Sequence, residues 1–195
     1  MATLSSLCVF CGSAAGTDPT HMAAGWALGA ALASEGVQLV FGGGNVGIMG
    51  AVAQATLAGG GRVVGIIPGH LDEREIAHPN LTELLVVPDM HTRKRLMFER
   101  SDAFAVLPGG FGTLDETFEI LTWRQLGLHD KPVIIADIKG FWQPMLAMSN
   151  SLLAGGFITQ RSMELFTVVG EVADILPTAR AELQESSAAA TPGLF

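Results

Sequence analysis

Glu116 and Arg93 occupy contexts suited to chemistry on a phosphorylated small molecule. Glu116 closes the run Pro108-Gly109-Gly110-Phe111-Gly112-Thr113-Leu114-Asp115-Glu116, which follows the apolar stretch Ala103 to Leu107 and opens a helix-like stretch from Thr113 to Leu126. Glycines here let the backbone turn sharply and approach a ligand closely. The free N–H groups at a helix start face an anion, and phosphate is the usual one. A carboxylate in the first turns of that same helix places an acid beside the phosphate cradle. Arg93 belongs to the stretch Met90-His91-Thr92-Arg93-Lys94-Arg95-Leu96-Met97. There Met90, Arg93, Lys94 and Met97 share one helical face, and an arginine so placed can grip a phosphate or carboxylate with two parallel hydrogen bonds.

Other residues cluster around these two. Asp115 complements the helix dipole, and Glu119, three positions after Glu116, can share its site or orient it. Gly42-Gly43-Gly44-Asn45-Val46-Gly47 fits G-x-G-x-x-G between a strand-like and a helix-like run. The acid that a dinucleotide ribose needs ~20 positions later is missing, since the first after the turn is Asp72. A mononucleotide or sugar phosphate suits the turn better, with Gly43 and Gly44 against it. No Lys follows the glycines as in a Walker A loop. His91 and His129 have no partner at metal-ligand spacing, so no metal site is expected. Cys8-x-x-Cys11 has no second pair to complete a zinc site and reads as two buried, reduced thiols.

These residues need elements to position them. Leu7–Phe10 reads as a strand, followed by the turn Gly12-Ser13. Asp18-Pro19 opens a helix to about Glu35, with Asp as N-cap and Pro at the first helical position. Further strands are expected at Val37–Phe41, Arg62–Ile67, Leu81–Val87, Ala103–Leu107 and Val133–Ala136, with a short edge strand at Phe166–Val169. Helices are expected at Met49–Leu57, Met90–Arg100, Thr113–Leu126, Trp142–Leu153 and Val172–Leu183, with a short one around Glu73. Alternating strands and helices predict an α/β fold: a single-domain, Rossmann-like, doubly wound parallel sheet with helices on both faces. The catalytic domain is expected over residues 1–183, and the Ser/Ala-rich 184–195 as a frayed tail. Ligands of such sheets lie at the carboxyl ends of the strands, where the three glycine turns are expected to converge on one crevice.

Composition sets the bounds. The 195 residues are 49% hydrophobic with net charge −8, which suits one well-buried domain and argues against nucleic acid as a partner. No apolar run reaches the ~18 residues of a membrane span, and the N-terminus lacks the cationic start of a secretory signal. A cytoplasmic protein is expected.

From Cys8-Val9-Phe10-Cys11-Gly12-Ser13 to about Val169 the chain resembles the LONELY GUY (LOG) family of cytokinin-activating phosphoribohydrolases, often misnamed lysine decarboxylases. The resemblance rests on P-G-G-x-G-T-x-x-E at Pro108–Glu116, on M-x-x-R-K-x-x-M at Met90–Met97, and on the glycine loop Gly42–Gly50. Asp115 stands where many members have Glu. The resemblance implies a homodimer with sites near the subunit interface and no cofactor. It also implies hydrolysis of the N-glycosidic bond of cytokinin riboside 5′-monophosphates, and of AMP, to free base and ribose 5-phosphate. It makes Arg93 and Glu116 the catalytic pair. Lys94, Glu75, Gly110, Gly112, Thr113 and Thr122 match positions lining the nucleotide site, and Gly109 and Ser13 belong to the turns that would hold the 5′-phosphate. A non-catalytic nucleotide or cofactor carrier of the same fold is the alternative. It needs the glycine loops but not the Arg93/Glu116 pair.

Overall fold

Apolar runs bounded by glycine and polar turns become the strands. The computed structural model describes residues 3–69 and 78–189. Its strands are β1 (Ser6–Phe10), β2 (Gln38–Phe41), β3 (Val63–Pro68), β4 (Glu83–Val87), β5 (Ala103–Val106), β6 (Val133–Ala136) and β7 (Thr167–Val169). They pair in the order β4-β3-β2-β1-β5-β6-β7, every pair parallel. The chain first builds outward from β1 to β4, then returns to lay β5 on the other side of β1. The crevice at that reversal is where such sheets take ligands. Every residue of β1, β3, β5 and β6 is buried, as strands covered on both faces require. β4, at one edge, alternates, with Leu84 and Val86 exposed.

Helices cover both faces. On one, α1 (Pro19–Ser34), α2 (Gly47–Ala58) and α7 (Ile175–Ala189) bury Leu28, Leu32, Val52 and Ile175 against Leu7, Leu39 and Ile134. On the other, α3 (Met90–Glu99), α4 (Phe111–Gln125) and α5 (Gln143–Ala154) bury Met97, Ile120, Leu121 and Met145 against Phe10, Phe104 and Ile135. A single-turn α6 (Gln160–Met163) precedes β7. α1 and α2 approach closely because Gly29 lacks a side chain: a Cβ there would stand 2.7 Å from Ala55 Cβ and 3.0 Å from Thr56 N.

The expected order of strands and helices is therefore present, and the differences lie at the ends. α2 and α4 begin two residues earlier than expected, on the glycine turns themselves. The closing helix is not one element from Val172. A 3₁₀ turn over Val172–Asp174 leads into α7, which starts at Ile175 so that Pro177 falls in the first turn, where its missing N–H costs no bond. α7 continues to Ala189, past the boundary expected at 183. α6 was not expected, and its start is fixed by a capping box between Thr159 and Ser162. The short helix expected around Glu73 lies outside the described residues. Among those described, no helix is long and apolar enough to cross a membrane.

Candidate active site

Backbone hydrogen bonds join the three glycine turns. Gly12 N donates to Pro108 O at 3.0 Å, and Met49 N donates to Gly12 O at 3.2 Å. The first and third turns, with Met49 of α2, border a cavity of about 220 Å³ at the β1/β5 reversal, while no residue from Gly42 to Gly47 lines it, so the expected convergence of three turns reduces to two. One side is Gly110, Phe111, Gly112 and Thr113 at the start of α4, with Gly12 and Ser13 beside them. The other carries Arg93, Asp115 and Glu116, with Cys11, Met49 and Met90 supplying sulfur and apolar surface.

The helix starts differ in a telling way. α1 is capped by Asp18, which accepts from Thr20 N at 2.8 Å, and α3 by Asp89, which accepts from Thr92 N at 2.7 Å. α2 and α4 have no side-chain cap. The first-turn N–H groups of a helix lack intrahelical acceptors. On α4 they border the cavity, where an anion can take them. Neither Gly110 nor Gly112 would bring a Cβ within 4 Å of another group, so main chain is fully exposed to a ligand there.

Arg93 projects from α3 into this cavity and is only 6% exposed. One terminal nitrogen, Nη2, donates to the Gly42 carbonyl at 3.2 Å, and Nη1 approaches Met90 Sδ at 3.6 Å. The Glu116 carboxylate stands 3.9 Å from Nη2, and among the described residues Arg93 Nε is buried without a hydrogen-bond partner. A Cβ on Gly42 would run into Nη2. That glycine therefore makes room for the arginine. A guanidinium that cannot be deprotonated, held beside a largely enclosed carboxylate, gives the cavity one fixed cation and one base.

The remaining expected residues divide. Ser13, Gly110, Gly112 and Thr113 line the cavity with Arg93 and Glu116. Lys94 does not line it. Its ammonium pairs with Asp115 at 3.2 Å and Glu119 at 3.0 Å. Burial alone would lower the Lys94 pKa, but donation to the Glu119 and Asp115 carboxylates outweighs it and raises it above its ordinary value. Thr122 points its hydroxyl back to Phe118 O at 2.7 Å, outside the cavity. Gly43 packs towards Ile67 on β3, and Gly109 lies tight against Thr113 and Gly12 N. Gly44 is buried and does not border the cavity. Glu75 lies outside the described residues. Met97, expected on the site face, is a core residue under the sheet. Cys8 and Cys11 are free and buried, and burial, with the Glu116 charge second, pushes both thiols up. Met90, from the same expected face as Met97, does line the cavity, whereas Cys11 and Met49 as cavity walls were not expected. Adjacency of Cys11 to the Gly12 turn was the available signal. Two larger depressions, of about 400 and 590 Å³, lie around Arg124 and Arg161, away from all three glycine turns.

A family profile described as "Possible lysine decarboxylase" matches residues 49–178, a stretch that holds both signature runs. The chain is 48% identical over 152 residues to the probable cytokinin riboside 5′-monophosphate phosphoribohydrolase LOGL1 of Oryza sativa subsp. japonica, covering 78% of this chain and 68% of that protein. It is 45% identical over 153 residues to the cytokinin riboside 5′-monophosphate phosphoribohydrolase LOG1 of Arabidopsis thaliana, covering 78% and 72%. The chain belongs to the LOG family. Among solved structures, the Moco carrier protein of Chlamydomonas reinhardtii superposes with a TM-score of 0.71 over 94% of this LOG-family chain and 99% of its own. At 21% identity that likeness is one of fold alone.

The decarboxylase description of the profile does not fit the lysines. Pyridoxal chemistry needs a lysine to form a Schiff base in the site. This LOG-family chain has Lys94, Lys131 and Lys139. Lys94 is held by two carboxylates, and Lys131 donates to Phe98 O at 2.7 Å. Lys139 sits in the turn after β6. None borders the cavity.

Proposed function

We propose that the protein hydrolyses the N-glycosidic bond of nucleoside 5′-monophosphates, cytokinin riboside 5′-monophosphates and AMP, to free base and ribose 5-phosphate. The observation that carries this is the Arg93–Glu116 pair, 3.9 Å apart, within one cavity with the uncapped start of α4. A 5′-phosphate on the α4 N–H groups and Thr113 leaves the ribose facing Glu116. Cleavage of a ribosyl–base bond passes through a cation-like sugar. The Glu116 carboxylate stabilises that charge and takes a proton from the attacking water. The water oxygen bonds to C1′, the C1′–N bond breaks with its electron pair on the base, and the base takes up a proton. Arg93 stands beside Glu116 and orients the bound nucleotide, while Met49 and Met90 offer apolar surface to the base. The names of the relatives support the same substrate class.

The enzyme is proposed to act as a homodimer. Phe111 at the cavity mouth is 93% exposed, and Leu126 and Leu128 at the far end of α4 are also exposed, which is apolar surface suited to a second copy. The two free cysteines suit a reducing compartment, and the cytoplasm is proposed.

Incubation with AMP and with isopentenyladenosine 5′-monophosphate, with free base followed by chromatography, tests the reading. Wild type is expected to release base. Glu116→Gln should lower turnover by roughly 10²-fold or more with nucleotide affinity retained. Equal rates for the two proteins would refute the role of Glu116. No release by wild type from either nucleotide would leave the carrier alternative.

A further inference from the structure

We infer that Lys94 is a positioning residue: by bridging Asp115 and Glu119 it fixes the near ends of α3 and α4, and so sets the Arg93–Glu116 separation. The inference deepens the proposed hydrolase and rests on that reading for its catalytic meaning. Arg93 and Lys94 are neighbours on α3, while Asp115, Glu116 and Glu119 occupy two successive turns of α4. Three contacts therefore cross between the same two helices: Arg93 to Glu116 at 3.9 Å, Lys94 to Asp115 at 3.2 Å and Lys94 to Glu119 at 3.0 Å. At their other ends the helices meet through Phe98 and Trp123, edge to face at 5.4 Å. The far ends are thus joined by apolar packing, and the reactive ends by Lys94.

Charge gives the bridge a second purpose. Three carboxylates on two turns of one helix repel one another, and Asp115 and Glu119 flank Glu116 on either side in sequence. Lys94 engages both flanking acids, so that Arg93 is left to Glu116. Without the ammonium, the flanking carboxylates compete for the guanidinium and the near ends of the helices part. Lys94 is 12% exposed at its side chain and does not border the cavity, unlike Arg93 on the same helix. Its ammonium acts on the cavity through Asp115, which lines it.

Steady-state kinetics on AMP test this with Lys94→Met, Lys94→Arg, Glu119→Gln and the Lys94→Met/Glu119→Gln double variant. The Nε–H resonance of Arg93 is followed in each by NMR. Lys94→Met is expected to lower kcat about tenfold or more, with KM within about threefold. Lys94→Arg, still able to span two carboxylates, should recover part of the loss. The double variant should lose no more than the worse single one, as expected of residues acting as one unit. The Arg93 signal should move in Lys94→Met and Glu119→Gln. A KM rise of about tenfold with kcat kept, additive losses, or an unmoved Arg93 signal would overturn the inference. If wild type releases no base, the hydrolase reading fails and the Arg93 signal alone decides the bridge. If Lys94→Met does not fold, Glu119→Gln carries the same readouts.

Discussion

Gly42 and Arg93 are separated by 51 positions, yet the glycine carbonyl accepts from the guanidinium and the missing Cβ is what admits it. Gly42→Ala is accordingly expected to keep the fold while displacing Arg93. Misplacement of about 1 Å can cost about 10²-fold in rate, so base release should fall by that order while the thermal midpoint moves little. Turnover and melting measured together check it, and full activity in the variant would remove Gly42 from the account. In the sequence this glycine is legible only as part of a ligand-binding turn. Its contact with Arg93 depends on where α3 falls after the chain has crossed the sheet, and no local pattern encodes that. Glu116, by contrast, is legible, because the glycines, the helix start and the acid occur within one short run. Lys94 shows what a motif leaves out: the resemblance places it at the nucleotide site, and only the fold brings its ammonium to Asp115 and Glu119.

Among the elements, the loop after α4 carries a test by pH. His129 Nδ1 accepts from Lys131 N at 3.1 Å, and Nε2 lies 3.0 Å from Ile120 O, so the neutral ring serves both bonds with its proton on Nε2. Burial holds its pKa below the ordinary value, with the bond to the Ile120 carbonyl working the other way. A histidine depressed in the folded state stabilises the fold above its unfolded pKa of about 6.5 and loses that contribution as pH falls below it. Urea unfolding at pH 7.5 and 5.5 should therefore show stability falling with acid, and falling less in His129→Gln. An identical pH dependence in both would reject the assignment. The order of elements was readable because buried parallel strands are continuous apolar runs, and because Asp18-Pro19 and the glycine turns punctuate them. The start of α7 was not, because Val172 to Leu183 has one composition throughout and only Pro177 distinguishes the turn from the helix. α6 is a single turn, too short to leave a period.

For the molecule as a whole, a net charge of −8 keeps like molecules apart, and the proposed dimer would use the exposed apolar groups at the ends of α4. Wild type is expected to sediment as a dimer. Leu126→Asp, placing a charge in that surface, should shift it towards monomer with the fold intact. A wild-type monomer at micromolar concentration would reject the dimer. The cavity itself divides the labour between two kinds of atom. Its anion-facing half is main-chain N–H at the start of α4, which exchange of side chains does not delete. In the proposed reaction its bond-breaking half is two side chains, Arg93 and Glu116. A descendant of this chain could therefore give up turnover by a single codon change at Glu116 and still retain the nucleotide. On such a scaffold, an enzyme and a storage protein are near neighbours in mutational distance.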